Sequence, residues 1–435
     1  MKRKRVVVLG ATGSIGESAL KVAHDIPERM EIVGLAANSN ARKLAAQANA
    51  VRPKTVCLVD VSKLSELRGL LEYEPQVFSG ERGLIEIACL DDAEMVLVAV
   101  VGTGGLRPAL AAIEAGKDLA VASKEILVMA GEIVMSAAAQ KNVHVLPVDS
   151  EHNAVFQCLD TQRKRPTSNS ESLREQAVQP ASARSGSCPD SSRGEDGLRR
   201  GERPTPKAFA NGPSNEEVRR LILTASGGPF RETPARDFES ITTEQALRHP
   251  TWNMGPKITI DSATLFNKGL EMIEAHWLFG VEMKRVEVVI HPQSIVHSMV
   301  EFADGSVLAQ LSHSDMCFPI QYAVTWPERV PNSLPPLDFG KLRQLEFATP
   351  RYEDFPALNL ARRAGDEGGT LPAVLNASNE VAVAAFLAGE ISFPRIWETV
   401  EAVMNRHTSV AKPALDAILR ADRWARAEAS KLATD

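Results

Sequence analysis

Two carboxylates separated by one residue follow an apolar run, in Asp149-Ser150-Glu151 after the string VHVLPV. In an extended chain, residues two apart share a face, so the two carboxylates can converge while Ser150 points elsewhere. Carboxylate oxygens are hard ligands that Mg²⁺ or Mn²⁺ takes together with substrate oxygens. Taken alone, the triplet is more ordinarily an acidic surface turn or a helix cap, so its interpretation depends on what lies near it.

A second polar group follows in DSATLFNKGLEMIE, and the apolar spacing there predicts one long helix over residues 262–279. One face of this helix carries an amide, an ammonium and two carboxylates, from Asn267, Lys268, Glu271 and Glu274. The packing stripe comes from Leu265, Phe266, Leu270 and Ile273. This arrangement leaves the polar face free to meet the acidic triplet. A solvated helix side with a Lys268–Glu271 pair is the alternative.

Hydroxyl and imidazole groups near two further loops predict a phosphate site. Ser226-Gly227-Gly228 follows the strand-like string RRLILTA, and its hydroxyl and backbone N–H groups can hold a phosphate. His249 opens the string HPTWNMG, which is suited to a lid that closes over a substrate. With Ser262, Asn267 and Lys268 these residues would form a phosphate-binding group. A plain Gly-Gly turn and a structural histidine remain the alternatives.

The string GATGSIG at residues 10–16 follows the first apolar run and opens a helix, so its backbone N–H groups can receive a pyrophosphate. Its spacing is GxxGxxG rather than GxGxxG, and a tight turn without a ligand is the alternative. The second apolar run ends in Asn38-Ser39-Asn40, where an NAD site usually carries an acidic residue. An uncharged loop accepts a 2′-phosphate, so NADPH is favoured over NADH; an ordinary polar loop is the alternative.

Six apolar runs in the first 150 residues predict the strands that position these groups. They span residues 5–10, 31–37, 55–60, 94–102, 118–123 and 143–148. Continuous hydrophobicity is typical of strands buried on both faces, and the intervening helical patterns favour parallel order. The sequence therefore predicts an α/β fold that begins with a Rossmann-like doubly wound parallel sheet.

The predicted domain organisation has four parts. An NADPH-binding domain over residues 1–150 precedes a catalytic and metal-binding α+β domain over 151–311, a linker over 312–351 and a C-terminal helical bundle over 352–435. Residues 160–217 are rich in Ser, Pro, Arg, Gly and Glu, with almost no large apolar side chains. Because such a composition supplies no core, this segment is predicted to be a disordered surface insertion.

Composition restricts the class of partner. The chain has 435 residues with 49 Lys and Arg against 55 Asp and Glu, so it lacks the basic excess of a nucleic-acid or anionic-membrane binder. Its five cysteines form no CxxC pair, which favours reduced thiols in a cytoplasmic protein without a disulfide framework. No stretch of the sequence approaches the roughly 18–20 apolar residues that span a bilayer, so no membrane role is expected.

Seven strings, in one order, resemble the 1-deoxy-D-xylulose 5-phosphate reductoisomerase family over nearly the whole chain except the insertion. They are GATGSIG, SKE at residues 123–125, PVDSEHNA, LTASGGPFRET, HPTWNMG, KITIDSATLFNKGLEMIEA and IHPQSIVHSMV. The resemblance implies conversion of 1-deoxy-D-xylulose 5-phosphate to 2-C-methyl-D-erythritol 4-phosphate, with NADPH and Mg²⁺, Mn²⁺ or Co²⁺. It also implies a homodimer in the bacterial cytoplasm, and a place in the methylerythritol phosphate route to isoprenoids.

The resemblance implies roles for individual residues. The metal ligands would be Asp149, Glu151 and Glu271, and the catalytic group would comprise these three with Lys124 and His249. Substrate contacts would come from Lys124, Ser150, Glu151, Ser226, His249, Ser262, Asn267, Lys268 and Glu271. NADPH contacts would come from Thr12, Gly13, Ser14, Ile15, Asn38, Ser39, Asn40, Ser123, Glu125 and Gly255. Trp252 and Met254 would belong to the closing loop. Ser123 stands where the family commonly has Asn, which would preserve a hydrogen bond to the cofactor but alter its reach.

Two other functions fit parts of the sequence. An NADP-dependent dehydrogenase of another small substrate would share the first domain, because many oxidoreductases have it. A non-catalytic NADP-sensing protein would keep the glycine loop but would have no need of convergent carboxylates. A metal requirement separates the predicted enzyme from both alternatives.

Overall fold

The computed structural model describes residues 3–160, 217–252 and 254–434. The predicted disordered insertion at residues 160–217 therefore lies almost entirely outside the described residues. Asn253 of the predicted lid and Cys188 also lie outside them.

A seven-stranded parallel sheet forms the first region, and it confirms the predicted Rossmann-like fold. Its strands are β1 (Lys4–Leu9), β2 (Met30–Ala37), β3 (Thr55–Leu58), β4 (Gln76–Ser79), β5 (Met95–Val98), β6 (Asp118–Val121) and β7 (Val145–Pro147). Their order is β4-β3-β2-β1-β5-β6-β7. Because the order reverses between β1 and β5, the loops that follow these two strands border a crevice at the carboxyl edge of the sheet.

Helices cover both faces of this sheet, and its core strands are fully buried as their apolar runs predict. These helices are α1 (Ser14–Asp25), α2 (Ala41–Val51), α3 (Leu64–Leu70), α4 (Gly80–Ala88), α5 (Leu106–Glu114) and α6 (Glu125–Lys141). Helix α6 begins directly after Lys124 and runs through the interior of the protein, with most of its first two turns buried.

The second region is α+β, as predicted. It contains α7 (Ser150–Asp160), β8 (Val218–Ala225), α8 (Thr243–Ala246), α9 (Pro256–Thr264), α10 (Phe266–Phe279), β9 (Val286–Ile290), β10 (Val296–Phe302) and β11 (Val307–Leu311). The four strands have the order β11-β10-β8-β9, with β10 antiparallel to both neighbours and β8 parallel to β9.

The prediction of one helix over residues 262–279 is wrong, because two helices meet there. Helix α9 ends at Thr264, and Leu265 has a left-handed backbone with φ of 65° before α10 begins at Phe266. A non-glycine residue in this conformation is uncommon, and it turns the chain between the helices. Side chains just before and just after Leu265 therefore project in different directions.

The C-terminal region is helical, as predicted. It contains α11 (Cys317–Thr325), α12 (Phe339–Leu342), α13 (Ala357–Glu367), α14 (Leu371–Ala388), α15 (Arg395–Arg406) and α16 (Leu415–Thr434). The segment 312–351, for which the sequence predicts a linker, includes the buried helix α11, whose Cys317 Sγ lies 3.8 Å from the Ser18 carbonyl oxygen. The domain boundaries themselves remain a prediction.

The expectation that no stretch is long and apolar enough to span a bilayer is wrong for α14. This helix has 18 residues with a mean hydropathy of 1.4, although 72% of it is buried inside the protein. It packs against α15 and α16 and forms the centre of the helical region. A helix that is apolar all round is expected at such a buried position.

Close helix packing fixes the position of α10. A Cβ atom at Gly131 of α6 would lie 2.3 Å from the Trp277 ring of α10, and one at Gly269 of α10 would lie 2.7 Å from the Ala361 side chain of α13. These contacts leave no room for a larger residue at either glycine. Helix α10 is therefore held between α6 and α13, with its polar residues facing the carboxyl end of β7.

Candidate active site

The acidic triplet is not extended, which corrects the geometry predicted from sequence. Strand β7 ends at Pro147 and α7 begins at Ser150, so Glu151 lies in the first helical turn and the Asp149 carbonyl accepts a hydrogen bond from the Asn153 N–H at 2.8 Å. The helix-cap alternative describes the local backbone correctly. The carboxylates nevertheless converge: ligand oxygens of Asp149, Glu151 and Glu271 all lie within 4.8 Å of one another.

Lys124 connects the triplet to α10. Its Nζ lies 2.7 Å from Asp149 Oδ2, 3.1 Å from Glu271 Oε1 and 2.7 Å from Asn267 Oδ1. The Asn267 amide in turn donates to Glu271 Oε1 at 2.6 Å. Because Lys124 directly precedes α6, the position of that helix sets the position of its ammonium group between the carboxylates.

Lys268 makes the matching bridge on the other side of Glu271. Its Nζ lies 2.8 Å from Glu151 Oε1 and 2.5 Å from Glu271 Oε2. Ser150, which was expected to point away from the carboxylates, donates its hydroxyl to Glu151 Oε2 at 2.6 Å. We refer to the following five residues as the carboxylate–lysine cluster: Lys124, Asp149, Glu151, Lys268 and Glu271.

Burial and charge act in opposition within the carboxylate–lysine cluster. Burial lowers the pKa of Lys124, but the Asp149 and Glu271 carboxylates outweigh it and hold that pKa well above its usual range. The pKa of Asp149 is lowered, because the Lys124 and His152 charges outweigh the effect of burial. The pKa of Glu271 is raised by burial first and by the Glu151 charge second, against the two lysines. Glu271 is thus the carboxylate whose charge depends most on neighbouring cations.

The donor set fits a hard divalent cation. Asp149, Glu151 and Glu271 offer only carboxylate oxygens, and Glu271 is 1% exposed. Oxygen ligands in this number suit Mg²⁺ or Mn²⁺ completed by substrate or water oxygens. Both lysine ammonium groups lie against these same oxygens, so the cluster already attracts positive charge to this point.

A buried imidazole and a fourth carboxylate lie directly behind the carboxylate–lysine cluster. His152 and Glu274 are fully buried, with His152 Nδ1 3.3 Å from Glu274 Oε2. His152 Nε2 lies 2.9 Å from the Glu271 carbonyl oxygen, and burial raises the pKa of Glu274 to about 7. The sequence analysis places Glu274 on the polar helix face but gives neither residue a catalytic or binding role. The available signal is spacing, since His152 follows Asp149, and Glu274 follows Glu271, by one helical turn.

The predicted phosphate-binding residues fall into two groups. Asn267 and Lys268 belong with the carboxylates, whereas Ser226, His249 and Ser262 form a separate serine–histidine group. His249 Nε2 lies 3.1 Å from Ser226 Oγ and 3.1 Å from Ser262 Oγ.

His249 acts in this group as a neutral hydrogen-bond donor. Its Nδ1 accepts the backbone N–H groups of Thr251 and Trp252 at 3.1 and 2.9 Å, so the imidazole proton lies on Nε2 and faces the two hydroxyls. Burial lowers the pKa of His249 to about 4. The serine–histidine group can therefore bind an anion through hydroxyls and an N–H, without a cation of its own.

The loop after His249 carries the predicted lid. Trp252 is half-buried, and its ring centroid lies 6.5 Å from that of His297. Gly255 is exposed and precedes the first turn of α9, where a Cβ atom would meet nothing within 4 Å. The backbone N–H groups at this helix start are thus open to a ligand.

The glycine loop after β1 has three glycines with three different functions. A Cβ atom at Gly10 would lie 2.3 Å from the Ala99 carbonyl oxygen, and one at Gly16 would lie 2.3 Å from the Ala11 carbonyl oxygen. These two glycines permit close packing of the loop on β5 and of α1 on the loop. Gly13 is exposed at the start of α1, beside Thr12 and Ser14. It leaves the helix start open for a pyrophosphate.

The other predicted cofactor residues border the same edge of the sheet. Asn38, Ser39 and Asn40 are exposed after β2, and the Asn40 side chain caps α2 by accepting the Lys43 N–H at 3.0 Å. Ile15 is half-buried within the first turn of α1. Ser123 is buried and donates its hydroxyl to the Val100 carbonyl at 2.5 Å. Its hydroxyl thus holds the loop after β5.

That loop after β5 is a feature that the motifs do not identify. It forms a short 3-10 turn over Gly102–Gly105 at the crevice between β1 and β5, and Val101 is 77% exposed there. The sequence signal is a second glycine-rich string, GTGG, directly after a buried strand.

The fold and the site define a class of protein. A glycine loop at the switch point of a doubly wound sheet, next to a buried carboxylate–lysine cluster, is the arrangement of a dinucleotide-dependent oxidoreductase with a metal centre.

Comparison with known proteins identifies the family. The family model for 1-deoxy-D-xylulose 5-phosphate reductoisomerase matches residues 6–131, and models of its C-terminal domains match residues 207–279 and 311–428. A reductoisomerase of this name from Symbiobacterium thermophilum is 48% identical, over 98% of this chain and 97% of the relative. One from Pelotomaculum thermopropionicum is 45% identical, over 99% of each chain.

Solved structures agree with the sequence comparison. The reductoisomerase from Zymomonas mobilis in complex with NADPH has a TM-score of 0.81 and 38% identity, covering 99% of both chains. A DOX-P reductoisomerase in complex with NADPH, fosmidomycin and magnesium has a TM-score of 0.82 and 35% identity, covering 99% of this chain and 98% of that one. The chain belongs to the 1-deoxy-D-xylulose 5-phosphate reductoisomerase family.

Proposed function

We propose that this protein converts 1-deoxy-D-xylulose 5-phosphate to 2-C-methyl-D-erythritol 4-phosphate, with NADPH and a divalent metal, Mg²⁺, Mn²⁺ or Co²⁺. The observation that carries the proposal is the convergence of the Asp149, Glu151 and Glu271 oxygens beside a nucleotide-binding sheet. Family membership supports the substrate, since related structures hold NADPH, magnesium and fosmidomycin.

Asp149, Glu151 and Glu271 would hold the metal. When bound, the metal would polarise the substrate carbonyl and acidify a neighbouring hydroxyl, while NADPH would supply the hydride. Lys124 and Lys268 stay charged, since their pKa values are raised by the carboxylates around them. They orient those carboxylates and can donate hydrogen bonds to substrate oxygens. Because Glu271 and both lysines are buried and Asp149 and Glu151 are partly so, each of these interactions is stronger than in solvent.

The serine–histidine group would hold the substrate phosphate. Ser226 and Ser262 offer hydroxyls and His249 offers its Nε2–H, and each hydroxyl oxygen lies 3.1 Å from that nitrogen. Binding energy gained at the phosphate orients the reacting end against the carboxylates. Closure of the loop that carries Trp252 would complete the site.

NADPH would bind across the carboxyl edge of the first sheet. The open start of α1 at Thr12, Gly13, Ser14 and Ile15 suits its pyrophosphate, and the uncharged string Asn38, Ser39 and Asn40 suits a 2′-phosphate. Ser123, Glu125 and Gly255 would contact it farther along the crevice, toward the carboxylate–lysine cluster.

We also propose a homodimer in the bacterial cytoplasm. Strand β11 is an edge strand with Val307 47% exposed, and such an edge offers unpaired backbone groups to a second chain. Cys57, Cys89 and Cys317 carry free thiols, in keeping with a reducing compartment. Light scattering after size-exclusion chromatography tests the dimer.

The test of the activity is NADPH consumption. The purified protein is mixed with 1-deoxy-D-xylulose 5-phosphate and Mg²⁺, and loss of NADPH absorbance is followed with and without EDTA. We expect turnover that EDTA abolishes and added Mg²⁺ restores. Turnover that persists in EDTA would favour the metal-independent dehydrogenase, and NADPH binding without turnover would favour the sensing protein.

A further inference from the structure

A second buried ionic cluster lies between the three regions of the protein, apart from the carboxylate–lysine cluster. Lys257 Nζ lies 2.8 Å from Asp261 Oδ2 and 3.3 Å from Glu125 Oε1. The Asn379 amide donates to Asp261 Oδ1 at 2.8 Å. We refer to Glu125, Lys257, Asp261 and Asn379 as the α9 clamp, because two of its members lie on helix α9.

Burying the charged groups of the α9 clamp costs desolvation free energy, so their presence requires an explanation. Asp261 is 1% exposed, Glu125 is 7% exposed and Asn379 is fully buried. Burial lowers the pKa of Lys257, but the Asp261 and Glu125 carboxylates outweigh this effect and raise that pKa above its usual range. Replacing such a buried ion pair with apolar residues often leaves stability unchanged or improves it. Position is therefore the better explanation for its presence than stability.

Helix α9 connects two parts of the proposed site. Gly255, proposed to contact the cofactor, directly precedes it, and Ser262 of the serine–histidine group lies in its last turn. Lys257 and Asp261 lie between them, one helical turn apart. Any rotation or shift of α9 would therefore move Gly255 and Ser262 together.

Lys124 and Glu125, which contact helices α10 and α9, are neighbours in the chain. Lys124 reaches Glu271 on α10, and Glu125 reaches Lys257 on α9. Both stand at the start of α6, at the carboxyl edge of the nucleotide-binding sheet. Two consecutive side chains at the start of α6 thus contact two different helices, α10 and α9.

The C-terminal helices support the clamp from the far side. Asn379 lies on α14, and the next residue, Glu380, adds its negative charge near Lys257. Glu380 is itself held by Arg426 of α16 at 2.6 Å and by Asn376 at 3.0 Å. The helical region therefore reaches the site through side chains on α14.

We propose that Lys257 is a positioning residue that couples NADPH binding to the binding of the phosphorylated ligand. NADPH contact orders the start of α6, Glu125 holds Lys257, and Lys257 sets α9 so that Ser262 aligns with His249 and Ser226. Lys257 contacts neither substrate nor reacting atoms. The inference rests on the proposed function, since it assumes that NADPH binds at Glu125 and the phosphorylated ligand at Ser262.

The test measures coupling between two ligands. Fosmidomycin affinity in Mg²⁺ is measured by calorimetry with and without NADPH for the full-length protein and for Lys257→Met, Lys257→Arg and Lys341→Met. Lys341 is a matched control, because its side chain is 88% exposed and pairs only locally with Asp338. Thermal unfolding of each variant, without ligands, reports stability separately.

We expect NADPH to tighten fosmidomycin binding to the unchanged protein, and Lys257→Met to reduce that tightening by about five-fold or more. Lys257→Arg should recover most of it, since the guanidinium can still reach both carboxylates. Lys341→Met should leave it unchanged. A purely structural lysine would change the unfolding temperature and both affinities without changing their ratio.

The outcomes are distinguishable. If NADPH tightens fosmidomycin binding to Lys257→Met as much as to the unchanged protein, and the unchanged protein turns over substrate, this inference is overturned and the proposed function stands. Absence of fosmidomycin binding and of turnover in the unchanged protein overturns the proposed function together with it. If Lys257→Met does not fold, Asp261→Asn replaces it, because the amide keeps the volume and the contact with Asn379 while removing the charge that holds Lys257. The same loss of coupling supports the inference, and full coupling overturns it.

Discussion

The carboxylate–lysine cluster and the serine–histidine group take residues from the consecutive helices α10 and α9 respectively, but they differ in chemistry. The first contains three carboxylates and two ammonium groups, with Glu271 only 1% exposed. The second contains two hydroxyls and a neutral imidazole in a half-buried loop. Ion pairs in a low dielectric hold the carboxylate–lysine cluster in place. Hydrogen bonds from a loop backbone hold His249 of the serine–histidine group.

The difference assigns separate tasks to the two groups. The charged cluster lies where charge would develop during the reaction. Substitutions in the carboxylate–lysine cluster should therefore lower kcat. The uncharged group binds an anion that does not react, so changes there should act on substrate affinity.

The largest effect is expected for Glu271→Gln. Loss of a carboxylate that both lysines and the metal share should lower kcat by at least ~1000-fold, because metal ligation contributes several kcal/mol to the transition state. NADPH affinity, measured by fluorescence titration, should stay within a few-fold. Glu282→Gln, at a 64% exposed side chain, is the control. Unchanged activity at saturating Mg²⁺, with an unchanged Mg²⁺ concentration at half-maximal rate, would show that Glu271 is not a ligand.

Lys268→Met should reduce kcat by roughly 100-fold, as for other buried groups that stabilise developing charge. It also leaves Glu151 and Glu271 facing each other without a counter-ion in the metal-free protein. We therefore expect the unfolding temperature to drop without metal and to rise more on Mg²⁺ addition than in the unchanged protein. Lys284→Met, at a 75% exposed side chain, should show neither change. If Mg²⁺ raised the unfolding temperature equally in Lys268→Met and in Lys284→Met, the Lys268 ammonium group and the metal would not share a position.

His249→Leu should raise the KM for substrate about tenfold, with kcat changed by less than about three-fold, because one hydrogen bond to a charged phosphate is lost. Steady-state kinetics at saturating NADPH and Mg²⁺ provide the measurement. A large fall in kcat with unchanged KM would place His249 with the reacting groups instead.

The smallest effect concerns pH. Burial lowers the pKa of His249 and of His297 from 6.5 to about 4, so both are neutral in the folded protein while the unfolded chain binds protons first. Their contribution to stability is therefore fully present above about pH 6.5 and is lost as pH falls toward 4. His297→Gln should flatten the pH dependence of the unfolding free energy in this window by at most ~1.4 kcal/mol per pH unit. Identical slopes in denaturant titrations of the two proteins would refute the assignment.

The sequence predicts the first sheet well because strands buried on both faces leave continuous apolar runs that glycine loops interrupt. It predicts which residues gather at the site but not their geometry. The start of α7 at Ser150 was missed because the preceding run extends to Val148, and nothing in the triplet marks where extension stops. Leu265 was missed for a sharper reason: glycine or asparagine would announce a left-handed turn, and leucine does not.

Contacts between distant parts of the chain could not be predicted either. The approach of Lys124 to Glu271 spans 147 positions, and that of Asn379 to Asp261 spans 118. A single sequence carries periodicity within helices and strands but no record of which faces meet. Asn376 and Asn379 illustrate this limit, because they look like surface positions on α14 and are fully buried.

The left-handed turn at Leu265 also sets a distance within the site. It fixes how far Ser262 stands from Asn267 and Lys268, and so the spacing between the end of a ligand that is gripped and the end that reacts. We expect an analogue of the substrate with one extra methylene between phosphate and carbonyl to fill only one of the two groups at a time. Selectivity for chain length would then follow from the backbone of one leucine, although its side chain is buried and touches neither end.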